Sequence, residues 1–261
     1  MRNHRGWLMA VALLVAPVAA EAQTYGQIKW QGVGNAFPVT YQRSDNSTRT
    51  VYAGQAYRAS FKFTSSSPWM PPHGTTAFGP TVDIFCVDFL HTANTSSTGY
   101  NAYFTNLSTD ALTRTRSTDL TRYLKAAWLS SKMDQLAAFG LTTAERDSAA
   151  DIHAAIWNIM ANEPIAVKHG STFSNFGMNT WITAADNNYG SVNAADWTVV
   201  TDACVYNGGN GTAGQGHTAV DNCSQEFLTR NVVPEPATLI LLGTGLIGTL
   251  GVGFLRRGTS A

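Results

Sequence analysis

The order of hydrophobic and polar positions separates two apolar ends from a longer mixed body. Residues 7–18 and 237–255 contain no charged side chain. The second run is about as long as a helix needs to cross the roughly 30 Å hydrocarbon core of a membrane. Between the two runs, apolar residues occur in short groups with periods of two or of three to four, which is typical of a folded domain.

Residues 25–107 carry mainly a period of two and are predicted to form β-structure. Large side chains alternate over residues 51–63, which predicts a single strand there, and the polar residues 45–47 before it predict a turn. Residues 81–90 are apolar on both faces, which predicts a buried strand. We therefore expect the first half of the body to supply most of the sheet.

The hydrophobic period lengthens to three and four residues in the middle of the chain. Residues 117–139 and 142–162 are predicted to be helices, and Thr142 and Glu145 have the spacing of a capping box for the second. The apolar stripe of this helix contains Ala149, His153, Ile156 and Met160. After it we expect loops and short strands, of which residues 197–200 are the clearest.

These patterns predict an α+β fold, a β-rich sandwich or partly open barrel with a two-helix insert over residues 117–162. No linker-like stretch divides the body. We expect one extracellular domain over residues 23–232, since all-β folds often exceed 200 residues as single units. Segments 1–22 and 233–261 are expected to lie outside it.

The amino-terminal segment has the order of a secretory signal peptide. Arg2, His4 and Arg5 precede the apolar run, and the small-x-small sequence at residues 20–22 predicts cleavage before Gln23. The alternative is a first transmembrane helix. It fits less well because the run is short and ends in a cleavage-like sequence.

The carboxy-terminal segment carries a short motif before its apolar run. Pro234-Glu235-Pro236 leads into that run, and Arg256-Arg257 follows it. Paired arginines favour the cytoplasmic side of a membrane, so we expect the segment to cross as a helix with the body outside.

This order resembles the PEP-CTERM sorting signal of exopolysaccharide-producing Gram-negative bacteria. The resemblance implies cleavage near the motif by an exosortase-type protease. It also implies an exported protein that begins as an inner-membrane-anchored precursor and ends at the cell surface or in the extracellular matrix. Exopolysaccharide or cell-surface glycans are then the expected partners.

Charge excludes one class of partner. The chain has 17 basic and 17 acidic residues, and removing both ends takes away four arginines but two glutamates. The remaining body is slightly acidic and lacks the basic patch that nucleic-acid binding requires. We therefore expect no nucleic-acid partner. Separately, we expect no cofactor.

Three cysteines, Cys86, Cys204 and Cys223, would meet an oxidising environment after export. Pairing of Cys204 with Cys223 is favoured because it closes a glycine- and asparagine-rich loop that has little apolar content of its own. Cys86 then remains unpaired in an apolar strand. An unpaired cysteine in an exported chain is reactive, intermolecular or buried.

Two short segments resemble the signatures of bacterial surface thioester domains. Phe85-Cys86-Val87-Asp88 resembles the aromatic-Cys-aliphatic-acid strand, and residues 153–157, His-Ala-Ala-Ile-Trp, resemble the Gln-x-Ala-Ile-Trp helix. In that family the thiol and the glutamine form an internal thioester that captures amines. The resemblance covers about residues 51–160 and implies a similar fold.

The glutamine position of that signature holds His153 in this chain. An imidazole cannot supply the acyl carbon of a thioester, so we expect no such bond unless Gln135 replaces the missing group. The favoured function is therefore structural or adhesive, without catalysis.

A shared fold would also place Cys86 beside His153, which opens a second hypothesis. A thiol next to an imidazole can be a nucleophilic dyad of a hydrolase or transferase, with Asp88 as the orienting carboxylate. The chain shows no recognisable oxyanion hole or nucleophile motif. A buried thiol packed against a hydrogen-bonded histidine is the simpler interpretation.

The sequence also bears on a metal site and on a sugar-binding site. The histidines, which lack the spacing of a metal site, are His73, His91, His153, His169 and His217. Three tryptophans in polar surroundings could stack on sugar rings, which makes a carbohydrate-binding module the third hypothesis. They are Trp69, Trp181 and Trp197.

Overall fold

The computed structural model describes residues 24–63, 77–137, 141–205 and 223–231. The predicted signal peptide and the predicted transmembrane segment lie outside these ranges. Within the ranges described, no helix combines the length and the apolar character needed to span a membrane.

Among the described residues, six strands close into an antiparallel barrel. In spatial order they are β1 (Thr24–Gly32), β4 (Tyr57–Phe63), β5 (Thr81–Cys86), β10 (Phe227–Arg230), β9 (Trp197–Asp202) and β6 (Tyr100–Asn106). The predicted sandwich or partly open barrel is thus a closed barrel, because β10 pairs with β5 on one side and β9 on the other.

A second antiparallel sheet, of four strands in the described ranges, lies beside the barrel. Its order is β3 (Thr48–Ala53), β2 (Phe37–Arg43), β7 (Ile165–His169) and β8 (Thr172–Ser174). The single strand predicted over residues 51–63 is wrong. Gly54 adopts a φ of +78°, and the chain turns there from β3 into the barrel strand β4.

Three α-helices occur in the part of the chain that the structure describes: α1 (Leu120–Ala137), α2 (Thr143–Ala161) and α3 (Phe176–Asn188). The predicted capping box at the start of α2 is confirmed, since the Thr142 hydroxyl accepts from the Glu145 N–H and the Glu145 carboxylate accepts from the Thr142 N–H. Asn162 ends α2 in the left-handed conformation. The prediction of two helices missed α3.

One hydrophobic cluster joins the barrel, the second sheet and the helices. It includes Phe61 of the barrel, Tyr41 of the second sheet and Trp157 of α2, all nearly inaccessible to solvent. Helix α2 contacts α1, α3 and strand β7, and most of its residues from Ala149 to Ala161 are buried. This placement brings His153 against the end of β5.

Candidate functional site

The structure brings Cys86, at the end of β5, against His153 in the middle of α2. Both residues are completely buried. The His153 Nε2–H donates to the backbone carbonyl of Cys86 at 3.0 Å, and Nδ1 accepts from the Gly54 N–H at 2.9 Å. A carbonyl only accepts and an N–H only donates, so these two bonds define the tautomer. Neither bond involves the thiol.

Gly54 reaches this position because it has no side chain. Its φ of +78° is strained for other residues, and a Cβ there would overlap the Phe37 ring. Its N–H therefore points at the imidazole from a tight turn. The His153 ring connects that turn to the end of the barrel strand that carries Cys86.

The thiol has its own partner and is poorly suited to act as a nucleophile. Cys86 Sγ donates to the Asp88 carbonyl at 3.1 Å. Burial, with a smaller contribution from the Asp88 charge, raises the pKa of Cys86 to about 12. Burial lowers the pKa of His153 to about 4, although its bond to the Cys86 carbonyl opposes the shift.

Burial also limits how this pair can react. Proton transfer from the thiol to the imidazole would create a buried thiolate and a buried imidazolium, and burial disfavours both charged forms. Thiolates, and not thiols, are the nucleophiles in cysteine catalysis. The arrangement therefore favours a neutral thiol and a neutral imidazole.

Aromatic rings complete the surroundings of His153. The Trp157 ring lies one turn further along α2, with its centroid 4.3 Å from that of His153. The Tyr57 ring lies 6.3 Å from the imidazole, and Tyr41 lies 4.9 Å from Trp157. These rings help to bury the imidazole and the thiol, and burial explains the direction of both pKa shifts.

The predicted orienting role of Asp88 is wrong, because its carboxylate has different partners. It is completely buried and lies 2.7 Å from His91 Nδ1 and 3.1 Å from Arg116 Nε. Gln135 is exposed on α1, where it accepts from Lys132 at 3.4 Å. It therefore cannot supply an acyl group to the buried Cys86.

A buried polar network adjoins Asp88, and sequence reasoning missed most of it. The Glu226 carboxylate accepts from the Arg116 N–H at 2.8 Å, the Tyr123 hydroxyl at 2.6 Å and the Thr201 hydroxyl at 2.7 Å. Glu226 is completely buried. No local signal in the sequence indicates this network, because the partners of Glu226 come from segments distant from it in sequence.

Cys204 and Cys223 form a disulfide with a Cα–Cα distance of 5.5 Å. This is the pairing that the sequence favoured. Residues 206–222, the loop between the two cysteines, lie outside the described ranges. Cys86 is unpaired and buried.

The structure describes two of the three tryptophans that could stack on sugar rings. Trp197 is only 2% exposed and begins β9, so the prediction that it could stack on a sugar is wrong. Trp181 lies on α3 and packs against Trp128 with a centroid distance of 6.3 Å. Trp69 lies outside the described residues.

The histidines do not converge on a metal site within the part of the chain that is described, where no three or more His, Cys, Asp or Glu side chains are arranged so that they could hold a metal ion. His91 contacts Asp88, and His169 lies between Asp147 and Asp151 at 3.2 and 3.0 Å. His73 and His217 lie outside the described residues.

Comparison with known proteins adds one finding. The PEP-CTERM protein-sorting motif matches residues 232–257, which include the Pro-Glu-Pro sequence and the paired arginines. The match indicates an exported exosortase substrate whose membrane-anchored precursor is sorted to the cell surface. No curated protein and no solved structure matches the chain. The resemblance to thioester domains stays a prediction.

Proposed function

We propose that the protein is a non-catalytic structural or adhesive component of the cell surface or extracellular matrix, and that its body has no internal thioester. The observation that supports the second part is the environment of His153. Both ring nitrogens bind backbone groups, while the Cys86 thiol is protonated, buried and bound to a carbonyl. The sorting motif supports the location.

The chain then has three segments with different roles. Residues 1–22 act as the signal peptide, residues 23–232 form the exported body, and residues 233–261 form the sorting segment with its transmembrane helix. Exopolysaccharide or surface glycans are the proposed matrix partners.

Intact mass of the mature protein from its native host tests the proposal. We expect a chain that begins at Gln23, ends close to Pro234-Glu235-Pro236 and contains one disulfide without loss of ammonia. Methylamine should add nothing. Mature protein that still contains Trp7 and Phe254 would contradict the processing, and a methylamine adduct would contradict the absence of a thioester.

Alkylation of the folded protein separates the structural role from catalysis by Cys86. We expect iodoacetamide to modify Cys86 only when the protein is unfolded, because the thiol is buried and its pKa is about 12. A Cys86→Ser variant is the control for background labelling. Rapid labelling of the native protein near neutral pH would support the hydrolase or transferase hypothesis instead.

A His153→Gln variant tests the resemblance to thioester domains. Glutamine restores the acyl group that the imidazole lacks, so we expect partial thioester formation, seen as loss of one ammonia and new methylamine reactivity. His153→Asn is the matched control, since its amide is one methylene shorter. A folded Gln variant that behaves like the Asn variant would count against the resemblance.

A further inference from the structure

An open cleft of about 380 Å³ lies between the barrel and α1, apart from the Cys86–His153 pair. Its charged lining residues are Arg58 of β4, Asp83 of β5, Arg230 of β10 and Asp134 of α1. Its size is within the range of small-molecule sites, about 300–1,000 Å³.

Three of these side chains form a row across neighbouring strands. Arg58 is directly opposite Asp83 in the β4–β5 pairing. Thr229 is opposite Ile84 in the β10–β5 pairing, so Arg230 comes next to Asp83 on its other side. Directly opposite residues share a face of the sheet, and the row therefore alternates cation, anion, cation.

The ion pair within the row is open to competition. Arg58 Nε lies 3.7 Å from Asp83 Oδ1, and both side chains are more than half exposed. Exposed pairs of this kind contribute little to stability, so a ligand can replace the contact at little cost.

Asp134 faces this row from the helix side. Its carboxylate is partly buried, and it makes no hydrogen bond or ion pair with any residue in the described ranges. Burial and the Asp83 charge raise the pKa of Asp134 to about 6, and Arg230 opposes the shift. A partly buried carboxylate in a cleft, with a pKa raised by burial and by a neighbouring charge, marks a candidate binding site.

The chemistry of the lining defines the ligand class. Carboxylate acceptors alternate with guanidinium donors, the Thr81 hydroxyl can act as either, and the four charges cancel near neutral pH. Such a surface favours neither a cation nor an anion. It suits closely spaced hydroxyl groups, each of which both donates and accepts.

We propose that this cleft binds a neutral carbohydrate, with Asp134 and Asp83 accepting hydrogen bonds from sugar hydroxyls and Arg58 and Arg230 donating to them. The inference rests on the proposed function for the source of the ligand, a surface or matrix glycan. Phe85 beneath the cleft is buried, so hydrogen bonds supply most of the affinity.

The test uses the protein recovered from its host and a panel of neutral tetrasaccharides built from glucose, mannose or galactose. Oligogalacturonate and inorganic phosphate serve as anionic probes. We expect at least one neutral tetrasaccharide to bind by calorimetry. Asp134→Asn should weaken that binding about tenfold or more, because it removes charge-assisted hydrogen bonds.

Arg58→Gln is the second variant, at an exposed position where folding is not at risk, and it should also weaken binding. Asp186→Asn is the matched control, because that carboxylate pairs with Lys125 outside the cleft. Affinity of the unmodified protein should rise as the pH increases through about 6, whereas Asp134→Asn should lack this step. The charged groups that face Asp134 are Asp83, Arg58 and Arg230.

Three results would overturn the inference. They are no binding by any neutral tetrasaccharide of the panel, equal affinity in Asp134→Asn and unmodified protein, or anion binding that Asp134→Asn strengthens. If no neutral tetrasaccharide binds but processing and export are normal, the cleft proposal fails and the proposed function stands. Failure of processing or export would count against the proposed function and not against the cleft.

Discussion

A single imidazole connects the barrel to the helices. His153 satisfies a buried N–H at Gly54 and a buried carbonyl at Cys86, two groups that belong to different strand ends. A neutral imidazole suits both because it has a donor and an acceptor on separate nitrogens. The sequence predicted a buried His153 next to Cys86. It could not identify Gly54, since that contact depends on a long-range fold.

Replacing His153 should show how much stability is lost when the Gly54 N–H and the Cys86 carbonyl have no hydrogen-bond partner. We expect His153→Leu to lower the free energy of unfolding by about 2–4 kcal/mol, because both backbone groups lose their partner while they stay buried. His153→Gln should retain most of the stability, since an amide also donates and accepts. Urea unfolding measures both. Equal stability of the Leu variant would contradict the connecting role.

The lowered pKa of His153 predicts acid sensitivity. The folded protein holds this group neutral with a pKa of about 4, against about 6.5 when unfolded. The stability it contributes is therefore present above about pH 6.5 and is lost as pH falls through about 4, a loss of roughly 3 kcal/mol. Melting temperatures from pH 7 to 4 should fall less steeply in His153→Gln. Identical slopes would contradict the assignment.

Helix α2 also fixes the elements that follow it. The Asp151 carboxylate lies 3.0 Å from Nε2 of His169 at the end of β7, and its other oxygen lies against Gly177 in the first turn of α3. Burial opposes protonation of His169, but hydrogen bonds to Asp151 and Asp147 outweigh it and raise the pKa of His169. Three elements thus meet at one carboxylate.

Close approach at this junction requires glycine. A Cβ at position 177 would overlap the Asp151 carboxylate, whose other oxygen is held by His169. We expect Gly177→Ala to lower the free energy of unfolding by about 1–3 kcal/mol. In an Asp151→Ala background the same change should be neutral or slightly stabilising, since alanine is the better helix former.

Gly190→Ala is the matched control for this double-mutant cycle, because a Cβ there meets nothing within 4 Å. Thermal unfolding of the four variants measures the coupling. Additive effects of Gly177→Ala and Asp151→Ala would show that the close approach does not limit packing.

The elements differ in how well the sequence predicted them. Helix α2 was found because its capping box and apolar stripe are local signals. Helix α3 was missed because Met178 and Ala185 are its only buried residues, which leaves no clear stripe, and Phe176 at its start is 79% exposed. Strands β3 and β4 were merged because the alternation of large residues continues through the turn at Gly54.

At the scale of the whole molecule, processing signals were predictable and the body was less so. The sorting motif is a short contiguous pattern, and its match at residues 232–257 confirms the prediction made from the proline and arginine positions. Barrel closure depends on β10, which pairs with strands distant in sequence. The cleft at Asp134 likewise combines residues from three strands and a helix, so no local pattern indicated it.

Strand β10 is only four residues long, yet it closes the barrel. Two contacts just before it hold it in place, the Cys204–Cys223 disulfide and the buried Glu226 carboxylate. The two cysteines of the disulfide are 19 residues apart in sequence. A crosslink over this distance restricts the unfolded chain and thereby raises the free energy of unfolding by roughly 3 kcal/mol.

In a double variant, Cys204→Ala with Cys223→Ala, we therefore expect the free energy of unfolding to fall by about 3 kcal/mol. In hydrogen exchange, the β10 amides should be the first to lose protection. The Glu226 hydrogen bonds should keep the rest of the barrel folded, because they connect β9 and the segment before α1 independently of the sulfur atoms. Cys86→Ala, which leaves the disulfide intact, is the control and should keep β10 protected. Equal protection of β10 in both variants would show that Glu226 alone holds the strand that closes the barrel.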